Sequence, residues 1–95
     1  MAMDQIERRV RLPADALKLD KYARYYAPDG NRIVGRYITL VDPENRYYDL
    51  PNGQRRWLQD RWTLPGISDG GCSVVNVLYN PATKKVEEAV CNGAA

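Results

Sequence analysis

Cations and rings alternate through the middle of the sequence: Lys21-Tyr22, Arg24-Tyr25-Tyr26, Arg36-Tyr37, Arg46-Tyr47-Tyr48, Arg55-Arg56-Trp57 and Arg61-Trp62. Guanidinium groups pair with anions and flat rings stack on sugar or base faces, so exposed together they suit an oligonucleotide or a polysaccharide. Trp, Tyr and Arg are equally the residues from which protein–protein hot spots are made. A third account is structural: with no Phe in the chain, Tyr and Trp build the core and the Arg stems cover them. Taken as one surface, the candidates for partner contact are Arg24, Tyr25, Tyr47, Arg55, Trp57, Arg61 and Trp62.

Other chemistries lack their residues. The chain has no histidine, which removes Ser-His-Asp and Cys-His catalysis, His-ligated metal and a histidine pH switch. Two cysteines, Cys72 and Cys91, match no zinc or redox spacing. Neither a phosphate-binding G-x-x-x-x-G-K-[ST] nor a G-x-G-x-x-G is present. Among carboxylates, Asp42 and Glu44 fall in a turn and Glu87 and Glu88 point to opposite faces of a strand, so neither pair is placed for acid–base work. Asp42-x-Glu44-Asn45 lacks the ligand ladder of a calcium loop. No catalytic, cofactor-binding or metal residue is therefore assigned, and the expectation is a protein that is not an enzyme and carries no cofactor.

Charge and length narrow the rest. Residues 21–62 hold Lys21 and seven arginines against Asp29, Asp42, Glu44, Asp49 and Asp60, a local +3 in a chain of net +2. That is mildly basic, far short of a nucleic-acid tail. At 95 residues there is room for one hydrophobic core, and a domain so small buries only about 60–65% of the surface its unfolded chain exposes, so a covalent staple matters. No apolar run approaches the ~20 residues needed to cross a bilayer, and Met1-Ala2-Met3-Asp4-Gln5 lacks the apolar stretch of a signal peptide. Two cysteines nevertheless suit an oxidising compartment, so the expectation is a secreted or periplasmic protein whose export signal is not in this chain; two reduced, buried thiols are the alternative.

The elements that must position these residues read as follows. Residues 1–12 alternate charge and aliphatic, a short strand or a loosely ordered arm. Pro13–Leu17 makes one helical turn. Residues 21–41 form a hairpin: a Tyr-rich strand, the turn Ala27-Pro28-Asp29-Gly30-Asn31, and a β-branched strand Arg32–Val41 that is apolar on both faces and so interior. Arg46–Leu50 returns as a short strand. In Gln54–Trp62, Trp57, Leu58, Arg61 and Trp62 fall on one side of a helix, with Arg55, Arg56, Gln59 and Asp60 on the other; Pro51-Asn52-Gly53 as a hairpin turn is the competing reading. Residues 72–91 are a second hairpin. The whole is an α+β domain, an antiparallel sheet of four or five strands with one or two short helices.

Register predicts the cysteine pair. If Asn80–Thr83 is a four-residue loop closed by Tyr79 and Lys84, Cys72 falls directly opposite Cys91, with Val75, Val77, Val86 and Val90 on the other face. A register shifted by two, with the turn running into Lys84 at positive φ, would make the pair diagonal and need a bulge beside Gly71 or Cys72. The functional expectation is a small secreted or periplasmic binding module acting on a protein partner, for example an inhibitor or an envelope-assembly subunit. The rival is a small β-rich module gripping an anionic polymer through the same Arg, Tyr and Trp side chains, and it would show a steep salt dependence.

Overall fold

The computed structural model describes residues 2–39, 49–67 and 70–93. Its centre is a five-stranded sheet of β1 (Ala23–Asp29), β2 (Arg32–Ile38), β3 (Arg55–Trp57), β4 (Val74–Asn80) and β5 (Lys85–Cys91), in the order β3-β1-β2-β4-β5. Every neighbour is antiparallel except β3, which runs parallel to β1. The fold is α+β, with one α-helix and three short 3₁₀ turns among the described residues.

Within the arm expected as a short strand or a loose segment, the structure has a helix. Ala2–Arg9 is a helix, α1, with Asp4 in its first turn and Arg8 and Arg9 in its last, as the helix dipole favours. Ala2, Met3, Ile6 and Val10 recur at helical spacing, and Ile6 is fully buried. Intervening arginines lend the stretch a false alternation. With residues up to Leu19, α1 covers one face of the sheet, where Tyr22, Tyr26, Ile33, Tyr37, Val75, Val77 and Tyr79 pack. Residues 50–67 cover the other face through Leu50, Leu58, Leu64 and Ile67, which meet Ala23, Tyr25, Ala27, Val34, Ile38 and Val74. Burial on both faces explains why β2 reads as largely apolar on both faces.

The first hairpin is tighter than the sequence suggests. β1 continues through Pro28 and Asp29 to a two-residue loop, Gly30-Asn31, with Gly30 at φ 59 where a type II′ turn places its glycine. Asp29 and Arg32 close the loop, so by alternation Pro28 turns its missing N–H away from β2 and costs no ladder bond. Gly35, opposite Tyr26 and Val77, is a close approach: a Cβ there would lie 3.1 Å from the Val77 Cβ and 3.2 Å from a Tyr26 ring carbon.

No helix forms over Gln54–Trp62. The Pro51-Asn52-Gly53 turn feeds β3, which Gln54 and Leu58 bracket with backbone bonds to Arg24 and Tyr26, and the chain then makes a 3₁₀ turn at Arg61–Thr63. Pairing with β1 outweighs the weak helical periodicity. The expected strand 46–50 falls largely on residues 40–48, outside the described residues; Leu50 is buried.

The disulfide is present, with Cα atoms of Cys72 and Cys91 4.6 Å apart, but the expected register is not. Asn80 and Lys85 close the turn, Lys84 adopts φ 58, and a bulge at Glu87 shifts the ladder again, so Cys91 lies opposite Val75. The Asn80 Oδ1 accepts the N–H groups of Ala82 and Thr83, which fixes the longer turn. Cys72 reaches its partner from the 3₁₀ turn Gly71–Ser73 ahead of β4, where Gly70 and Gly71 supply φ 102 and 56. The bulge also turns both Val86 and Ala89 to the α1 face and leaves Val90 exposed on the other, against the expected grouping of Val90 with Val75, Val77 and Val86.

Candidate functional site

The candidate side chains that the structure describes do not form one surface. Arg24 and Tyr25 are adjacent in β1 and therefore point to opposite faces, each under cover: Arg24 is 9% and Tyr25 2% exposed. Neither is available to a partner. Tyr47 lies outside the described residues. The missing information is the two-sided cover on β1, which turns an Arg-Tyr-Tyr run inward.

Arg24 meets Arg55 instead, because parallel pairing sets them side by side on the α1 face. Between them stands Glu7 of α1, whose carboxylate accepts from Arg24 Nε at 3.0 Å, Arg55 Nη1 at 3.3 Å and the Tyr26 hydroxyl at 2.6 Å. Since Tyr26 donates to Glu7, Tyr37 must donate to Tyr26 across 2.8 Å. Burial holds both phenols above the ordinary tyrosine range, with the neighbouring ring and Glu7 adding to the effect at Tyr26. Arg55 also holds Asp4 at 2.7 Å, a hydrogen bond that pulls the Asp4 carboxyl below its usual range. Asp4 and Glu7, three apart on one helix, are what the sequence reading missed; the helical spacing of that arm was the available signal.

On the other face the Tyr25 hydroxyl accepts the Leu50 N–H at 3.2 Å, and its burial raises its ionisation above the ordinary value. Arg36 donates to the Pro65 carbonyl, while its buried Nε has no partner among the described residues. Both arrangements fasten the 50–67 segment to the sheet.

What remains in water is Trp57, Arg61 and Trp62. Trp57 ends the edge strand β3 at 39% exposure, and Trp62 stands at 79%. The turn presenting Trp62 is built: Asp60 Oδ1 accepts the Trp62 N–H at 2.9 Å, and the Thr63 hydroxyl donates to the Asp60 carbonyl at 2.9 Å. Arg61 reaches Asp29 at the tip of the first hairpin, 3.1 Å, and its guanidinium lies 4.4 Å from the Trp62 ring centre. Arg56 pairs with Asp49 at 3.1 Å. The result is two exposed indoles, Trp57 at the end of β3 and Trp62 on a braced turn, with Arg56 and Arg61 already matched to carboxylates. Among the described residues no group of three His, Cys, Asp or Glu side chains converges as a metal site would need, and no helix is long and apolar enough to cross a membrane.

No family model, curated protein or solved structure matches the chain.

Proposed function

We propose that this domain is a non-catalytic binding module that engages a protein partner through Trp57, Arg61 and Trp62, in an oxidising compartment outside the cytoplasm. The observation that carries the reading is Trp62, 79% exposed on a turn braced by Asp60 and Arg61. A large indole held in water gains nothing for folding, whereas at an interface it buries wide apolar area with little loss of freedom, and Trp and Arg dominate such contacts. The Cys72–Cys91 bridge supports the compartment, because structural disulfides persist where thiols are not kept reduced.

The anionic-polymer reading has less support. It needs free cations beside the rings, yet Arg24, Arg55, Arg56 and Arg61 each hold a carboxylate of the same molecule. Affinity capture from an envelope or secreted-protein extract of the source organism, with the intact chain and Trp62→Ala side by side, tests the proposal. The expected result is a protein retained by the first, lost by the second and resistant to added salt. Retention undiminished in Trp62→Ala, or capture of a polymer released steeply by salt, would overturn it.

A further inference from the structure

β5 ends the sheet, so one of its sides has no partner strand among the described residues. The register identifies the backbone groups on that side. Asn92 donates its N–H to the Val74 carbonyl at 2.9 Å, which makes Val74 and Asn92 a hydrogen-bonded pair. With Val75 opposite Cys91, Asn76 opposite Val90 and Val77 opposite Ala89, alternate residues turn their groups to opposite sides. Val90 therefore bonds β4, while Ala89 and Cys91 aim N–H and C=O away from the sheet. The other side of β4 agrees: Thr39 donates to the Ser73 carbonyl at 3.0 Å, so Val75 and Val77 face β2 and Val74 and Asn76 face β5.

This edge is guarded along half its length. Lys85, Glu87 and Glu88 line the first half with charge, and the bulge at Glu87 breaks its regularity, two devices that discourage another strand from adding. Ala89-Val90-Cys91 has neither, and Val90 is 49% exposed.

We propose that this half-strand pairs antiparallel with the same half-strand of a second copy, about a two-fold axis at Val90, joining two sheets into one. The segment is complementary to itself in that register. Ala89 falls opposite Cys91 of the second copy and Cys91 opposite its Ala89, and each pair exchanges two backbone hydrogen bonds from groups that already point outward. Val90 meets Val90 at a non-hydrogen-bonded position, where Cα atoms approach to about 4.5 Å and side chains touch. Glu88 meets Asn92, so no like charges oppose. Moving the axis by one residue toward the turn sets Val90 against Glu88 and carries the pairing into the bulge, which disfavours that register. A two-fold contact of one patch with itself closes at a dimer.

Sedimentation velocity on the intact, disulfide-bonded chain over a wide concentration range tests this. The expected result is a reversible monomer–dimer equilibrium. Ala89→Pro deletes an outward N–H without touching the β4 ladder, and Val90→Glu sets two carboxylates across the axis; each should raise the dissociation constant about tenfold or more with unchanged far-ultraviolet circular dichroism. Should Ala89→Pro fail to fold, Val90→Glu at its exposed position decides alone. Trp62→Ala should leave the equilibrium as it was. A chain that sediments as a monomer at every concentration overturns the proposal, as does a dimer that survives Val90→Glu or is lost in Trp62→Ala.

Discussion

Glu7 is the residue on which the inward-facing arginines depend. It is shared by Arg24, Arg55 and Tyr26, and the Arg24 and Glu7 side chains retain only 10% and 14% of their exposure. Removing one partner of a buried pair leaves the other charge uncompensated, so Glu7→Ala should cost about 3–5 kcal/mol. Asp4→Ala removes a pair whose Asp side chain is 44% exposed and screened by solvent, and should cost far less. Urea unfolding of the two variants compares them directly, and equal losses would refute the role given to Glu7. Gly35→Ala inserts a methyl group against Val77 and the Tyr26 ring and should lose about 1–3 kcal/mol by overpacking.

Among the elements, the second hairpin shows how a bridge can form in a register other than the expected one. Cys72 and Cys91 do not need to be ladder partners, because the 3₁₀ turn at Gly71–Ser73 brings the first cysteine back over the strand. The bridge closes a segment with a sequence separation of 19, so paired Cys72→Ser and Cys91→Ser replacement should cost about 3 kcal/mol on the chain-entropy account. Thermal unfolding with and without the bridge measures it; an unchanged Tm would contradict that account. For the segment expected as a helix, the indoles that a helix would have packed are in water. Trp62→Ala should therefore change stability by less than about 0.5 kcal/mol, where a packed Trp would cost about 3–5.

For the whole molecule, the ionisable groups set a stability plateau with two shoulders. The Tyr26 and Tyr37 phenols stay protonated in the fold well above their ordinary range, while in the unfolded chain they ionise near pH ~10. Above that pH the unfolded state binds fewer protons, so the contribution is complete below pH ~10 and declines as pH rises. Asp4 and Glu87 run the other way: hydrogen bonds from Arg55, and from Arg32 and Asn80, lower their values, so their contribution is present above pH ~4 and is lost as pH falls through the lowered values. Tm against pH should fall at both ends. Phenolate absorbance should show part of the tyrosine signal appearing only with the loss of tertiary circular dichroism; full ionisation before unfolding would contradict the buried network.

The sequence by itself determined the composition of the layers. Runs of β-branched and aromatic residues bounded by turn signals marked the strands on either side of Gly30 and of Pro81, and two cysteines at the ends of one hairpin marked the bridge. Those signals are local, set by propensity, turn chemistry and spacing. Tertiary structure decided which face each side chain met. Arg24 and Tyr25 turned inward because β1 lies between two covering layers, and Ala2–Arg9 became a helix because Ile6, Asp4 and Glu7 found an apolar face and two arginines to hold. Trp57 and Trp62 were left outside because β3 paired with β1, which spent the segment's backbone on the sheet in place of a helix. Neighbours remote in sequence supply those energies, so spacing along the chain alone cannot report them.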